Sequence, residues 1–242
     1  MIGRLIWVEV VELKRSLVAW LAVLLGVGGS VLARMLTWIS HALGRTELRG
    51  LPFVNTDLGW SDVAVPCALL GYLVLTAYVF GRDFEDGNID LVLTAPVRRE
   101  AVGVARTIVV AMGVFVLAVL GWGADTAMRT VLTTSSLDPG AAIDAASVMG
   151  SAIAAIATLP LVAWASIRFR GVLPALGLGI AIQVVVLGLG RIALVRSLPW
   201  FLPTALAAGQ GVSWFSVALS LLLFTGGMVA TLRGLRTVDL YE

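Results

Sequence analysis

The side chains best suited to doing chemistry in this 242-residue chain crowd into one stretch, Gly81–Arg106, which reads GRDFEDGNIDLVLTAPVRREAVGVAR. An acidic cluster (Asp83, Glu85, Asp86, Asp90) is followed by apolar Ile89, Leu91, Val92 and Leu93, then by Pro96 and the basic pair Arg98-Arg99. Asp86-Gly87 is a turn signal, and the residues after it can form a short helix that ends before Pro96. Apolar side chains exposed on a short helix call for a partner surface. A socket on another protein would take them, while the flanking charges fix orientation. The chemistry expected here is recognition. The plainer alternative is a solvated loop whose arginines only set topology, which leaves the acids and the apolar quartet unexplained.

Catalytic patterns are missing elsewhere. There is no GxxxxGK[ST] phosphate loop, and Lys14 is the only lysine, so ATP is not held by that route. There is no H-E-x-x-H pair. Ser135-Ser136 and Asp138 share a loop without a histidine, which puts a hydrolase triad out of reach. His41 is the only histidine and Cys67 the only cysteine, so no intrachain disulfide or cysteine-based metal site can form. The expectation is a protein that is not an enzyme and binds no cofactor itself.

The elements that must position Gly81–Arg106 are apolar. The chain is 59% hydrophobic and 13% charged, with a mean hydropathy of +0.98, whereas a soluble domain is roughly a quarter charged. Hydrocarbon cannot satisfy free backbone groups, so only helices or closed barrels cross it. Apolar runs near the ~20 residues needed to span a bilayer favour helices. Six spans are predicted: Leu17–Ala33, Val63–Phe80, Ala101–Gly121, Ala145–Ile167, Val172–Leu194 and Ser213–Leu232. The fold class is thus an all-α integral membrane protein, read as a single domain over 1–242. A helix over residues 1–16 is amphipathic: Ile2, Leu5, Ile6, Val10 and Leu13 recur at helical spacing, with Arg4, Glu12 and Arg15 opposite. It reads as an interfacial helix, or alternatively as an extension of the first span. Val31-Leu32-Ala33 resembles a signal-peptide cleavage site, but the leading segment is long and carries Glu9 and Glu12, so no cleavage is expected.

With both termini placed in the cytoplasm, inner segments carry eleven basic residues and outer ones six, as the positive-inside rule favours. Trp38, Trp60, Trp122, Trp200 and Trp214 then fall near the outer boundary, and Trp7, Trp20 and Trp164 near the inner one. A net charge of +2, scattered along the chain, gives no footprint for nucleic acid.

Polar groups at or within the spans are the next candidates. Asp125 and Arg129 stand four apart on one helical face and are expected to pair with each other, with a cargo contact as the alternative. Arg34, Arg191 and Arg196 sit at outer span ends and are expected to snorkel as anchors. Gln183 lies deep within a span and suits packing between helices, or the lining of a pathway. No chain of buried Asp, Glu or His runs through the spans, which disfavours a proton-coupled pump. Gly150, Ala154 and Thr158 form a small-residue stripe in the fourth span, and Gly26, Gly28, Gly29 and Ser30 another in the first, suited to close packing within the chain or at a dimer seam.

The 81–106 stretch resembles the loop of type-2 ABC exporter permeases, the six-span family that includes antibiotic, lantibiotic, sodium and polysaccharide exporters. Asp83, Gly87, Leu91, Leu93, Pro96 and Arg98 match the family pattern, and Asn88 stands where threonine is usual. The start ending Glu12-Leu13-Lys14-Arg15 is also similar to the family's opening. The turn Leu198-Pro199-Trp200-Phe201-Leu202-Pro203 resembles its re-entrant or extracellular element before the last span. The resemblance implies that residues 82–100 form a coupling helix between spans 2 and 3. Asp83, Glu85, Gly87, Asn88, Leu91, Val92, Leu93, Pro96 and Arg98 would then meet a separate ATPase subunit that holds ATP and magnesium. It further implies an exporter in the cell membrane, with a second permease copy or paralogue completing the passage. A haem-exporter permease of cytochrome maturation, and a non-transporting scaffold or assembly factor, are the alternatives.

Overall fold

Among the described residues, the apolar runs expected to span a bilayer are helical, the fourth with a break. The structure is a computed structural model, and it describes residues 2–42, 60–88, 98–133, 144–189 and 197–237. In chain order the described helices are α1 (Ile2–Arg15), α2 (Leu17–Ala42), α3 (Trp60–Glu85), α4 (Arg99–Thr133), α5 (Ala145–Ile156), α6 (Leu159–Arg168), α7 (Val172–Leu189), α8 (Leu202–Ala207) and α9 (Trp214–Thr237). Among the described residues, six segments are long and apolar enough to cross a membrane, with α5 and α6 together forming the fourth. The protein is an all-helical, multi-pass membrane protein.

Ion pairs and close contacts fix the alternating directions. One end of the bundle, here the near end, gathers α1, the C-terminus of α3, the N-termini of α4 and α7, and the C-terminus of α9. Gly81 of α3 faces Val172 of α7 so closely that an added Cβ would lie 2.8 Å from the Val172 nitrogen. Arg236 of α9 pairs with Glu100 of α4. At the opposite, far end, Arg34 of α2 meets Asp125 of α4. The helix α3 is the axle: it packs against α2, α4, α6 and α7, and Val79, Ala77 and Phe80 are among the most buried residues.

Two features depart from the simplest reading. The helix α4 runs for 35 residues, about 52 Å at 1.5 Å per residue, well beyond a ~30 Å hydrocarbon core. Its ends therefore carry charge without placing it mid-membrane. The fourth span is broken, with a turn at Ala157-Thr158 and Pro160 in the first turn of α6. Proline has no N–H to give the Ile156 carbonyl one turn back, and beside the break the Thr158 hydroxyl donates to the Ala155 carbonyl at 2.8 Å. The small-residue stripe Gly150, Ala154, Thr158 consequently does not run along one continuous helix. The close approach lies one step further on, where Gly227 of α9 faces the break: a Cβ there would lie 2.8 Å from Pro160 Cβ. Thr231, one turn along, donates to the Pro160 carbonyl at 3.1 Å. In the first span, Gly29 does serve packing inside the chain, against Cys67 of α3.

The segment after α7 turns at 198–201 and forms α8, whose Leu202, Pro203 and Ala205 are buried. It packs on α5 and α3 before the chain enters α9.

Candidate functional site

The near end holds a cluster of five charges drawn from three helices. Glu9 and Glu12 are three apart on α1 and so share a face. Arg82 and Asp83 close α3, and Arg106 lies in the second turn of α4. Glu9 uses both carboxylate oxygens: Oε2 accepts from Arg82 Nη2 at 2.7 Å and Oε1 from Arg106 Nε at 2.9 Å. Arg106 also donates to Asp83, and Arg82 to Glu12. Arg82 Nε lies 3.6 Å from Asp83 Oδ1. The Arg82 guanidinium sits 5.7 Å from the centre of the Tyr78 ring, within cation–π range.

Burial makes this cluster consequential. Side-chain exposure is 2% for Arg106, 6% for Arg82, and 10% for both Glu9 and Asp83, while Glu12 stays half open at 53%. A charge removed from water is tolerated only when paired and hydrogen-bonded, and here each buried arginine meets two or more carboxylates. The cluster carries three negative and two positive charges, and the surplus negative charge falls to the exposed rim at Glu12. Mechanically, α1 is bolted through Glu9 to both helices that flank the 82–100 segment.

The candidate docking residues divide along this boundary. Asp83 faces inward to Arg106, so its carboxylate belongs to the bolt. Glu85, Asp86, Gly87 and Asn88 are exposed. Gly87 has φ +68°, the left-handed conformation that suits glycine in the turn that ends α3. The Glu85 carboxylate accepts from the Val172 N–H at 2.8 Å, capping α7 and tying the start of the segment to the fifth span. Arg98, also exposed, precedes α4, and Arg99 donates to the Arg236 carbonyl at 3.2 Å. Leu91, Val92, Leu93 and Pro96 lie outside the described residues, as do Ile89 and Asp90.

Glu9, Arg82 and Arg106 were not singled out from sequence as a set. Glu9 argued only against a signal peptide, and the arginines counted only towards topology. The available signal was the acidic pair at i, i+3 on an otherwise basic-ended amphipathic helix. That helix forms over Ile2–Arg15. Its buried residue is Glu9, while Leu5, Ile6, Val10 and Leu13 are half-buried and Trp7 is 68% exposed.

At the far end the expected partner changes. Asp125 is 2% exposed and receives a two-pronged bond from Arg34, Nε to Oδ1 and Nη2 to Oδ2, both 2.8 Å. The pairing of Asp125 with Arg129 is thereby corrected: fork-to-carboxylate geometry across two helices wins over the local i, i+4 neighbour. Arg34, expected to snorkel, is 1% exposed. Arg191 and Arg196 lie outside the described residues. Gln183 is buried on the α7 stripe with Val172, Ala175, Gly179 and Val186. Gly179 on that stripe abuts Leu73 of α3. A cavity among α2, α3, α4, α5 and α8, lined in part by Ser30, Tyr72, Trp122 and Ser151, has a volume of about 30 Å³. That is room for about one water, so it is no passage for cargo.

No curated protein matches the chain. A family model described as ABC-2 family transporter protein matches residues 5–188, from the first turn of α1 to the end of α7, well over half of the sequence. With six apolar spans and an amphipathic helix bolted to the second and third of them, this chain belongs to the ABC-2 family of transporter membrane proteins.

Proposed function

We propose that the chain is the membrane-spanning permease subunit of an ATP-driven exporter in the cell membrane, with the near end and both termini in the cytoplasm. The observation that carries this reading is the bolting of α1 to the two helices that frame residues 82–100, in a chain of this family. An ATPase subunit would receive the segment through Leu91, Val92 and Leu93, oriented by the exposed Glu85, Asp86 and Arg98. Closure of two such subunits on ATP and magnesium would push the segment. Because Arg82 and Arg106 connect its flanks to Glu9, α1, α3 and α4 would move together rather than bend separately. A second permease copy or paralogue would complete the passage.

The test is co-purification with the ATPase subunit, together with stimulation of its turnover by the permease. Leu91→Asp and Leu93→Asp should abolish both while leaving the permease folded and monodisperse. Retention of co-purification and turnover at wild-type levels by both variants would refute docking through this segment.

A further inference from the structure

We propose that the groove between α1, α2 and α4 is a binding site for one anionic phospholipid, its acyl chain lying in the groove and its phosphate at Lys14 and Arg15. This inference does not rest on ATPase docking. The groove has a volume of about 280 Å³ and is lined by Val10, Leu13 and Lys14 of α1, by Ala19, Ala22 and Val23 of α2, by Leu75 of α3 at its back, and by residues of α4 from Val109 to Leu117. Apart from Lys14 every lining side chain is apolar. Met112 and Val116 on its rim are 50% and 55% exposed, and the neighbouring face of α2 presents Leu17, Trp20 and Leu24 at 85%, 66% and 68%. The groove therefore opens onto lipid.

Shape selects the occupant. The α4 wall runs from 109 to 117, about 12 Å of helix rise, most of the ~15 Å depth of one leaflet, so the groove follows the direction of a lipid tail. An apolar slot running beside a membrane helix and open to the bilayer is filled by a hydrocarbon chain. Charge selects the headgroup. Lys14 lines the groove in the last turn of α1 and Arg15 follows it in the chain, both exposed, where α1 gives way to α2 through Ser16. The Ser16 hydroxyl accepts from the N–H groups of Val18 and Ala19 at 3.1 and 3.2 Å, which starts α2 beside the two cations. A basic side chain lining an apolar slot between membrane helices, with a second next to it in the chain, matches an anionic lipid headgroup.

The experiment uses the purified full chain, stripped of lipid in detergent and titrated with phosphatidylglycerol or phosphatidylcholine of identical tails, with bound lipid counted by native mass spectrometry. One phosphatidylglycerol should be retained at concentrations where phosphatidylcholine is not. Lys14→Gln and Arg15→Gln should each weaken phosphatidylglycerol retention about fivefold, the worth of one basic residue near an anionic surface. Arg4→Gln, the same loss of charge at the other end of α1, should leave it unchanged. Ala19→Phe and Val116→Trp, which fill the groove from opposite walls, should each remove it, and variants are scored only as monodisperse protein. Equal retention of the two lipids, or undiminished retention in both filled variants, would overturn the proposal. So would displacement of the lipid by inorganic phosphate at equal concentration, which would make the site one for a free anion. Disulfide cross-linking of two chains through Val116→Cys would also overturn it, by putting a second copy in the groove.

Discussion

Arg34 on α2 and Asp125 on α4 lock together through two parallel 2.8 Å hydrogen bonds at the far end of the bundle, both almost fully buried. A buried pair of this kind contributes little over a well-packed apolar pair, but losing one partner strands the other charge. Arg34→Leu and Asp125→Leu should each cost about 3–5 kcal/mol, and the double variant should recover much of that loss. Thermal unfolding in detergent, followed by loss of monodisperse protein, reads the difference. Additive losses in the double variant would show that the two side chains do not act as a unit.

Glu9 is the keystone of the near-end cluster, since it is the carboxylate shared by Arg82 and Arg106. Glu9→Ala should free α1 from the bundle, because two buried guanidinium groups would each lose a partner, a loss on the order of 3–5 kcal/mol. Limited trypsin digestion is the sensitive readout: cleavage after Lys14 and Arg15 should accelerate sharply. Glu9→Gln keeps the shape without the charge and should fall between. Unchanged cleavage in Glu9→Ala would mean that α1 is held by its apolar contacts alone.

The crossing of α2 and α3 offers a compensating pair. A Cβ at Gly29 would lie 2.3 Å from the Cys67 Cβ. Gly29→Ala should therefore destabilise the protein by about 1–3 kcal/mol through overpacking. Cys67→Ala cannot relieve this, since alanine keeps the offending Cβ. Cys67→Gly should, less roughly 1 kcal/mol for a glycine within a helix. Thermal stability of Gly29→Ala alone and combined with each Cys67 substitution settles it, and rescue by Cys67→Ala equal to that by Cys67→Gly would contradict the contact.

What could be read from the sequence followed from rules that act locally. A bilayer requires about twenty apolar residues with their backbone bonded internally, so the six spans were legible without knowing what touches what. The same holds for the turn at Asp86-Gly87, where a left-handed residue is needed, and for the helix at residues 2–15, whose apolar spacing is periodic. The broken fourth span was only half legible. Pro160 was plain, but how the break is packed depends on the α9 residues Gly227 and Thr231 facing it.

Ion-pair partners were decided by tertiary structure alone. Glu9 finds Arg82 across 73 positions and Arg106 across 97, and Arg34 finds Asp125 across 91. Sequence spacing ranks neighbours within one helix, which is why Asp125 was matched with Arg129. Burial then reverses the ranking, because a charge taken from water must have the best-aligned counter-charge available, whichever helix supplies it. The apolar pattern by itself determined that six of the described segments are long and apolar enough to cross a membrane. Which charges lock its helices together waited on the fold, because that depends on how the long α4 lies between α1 and α2.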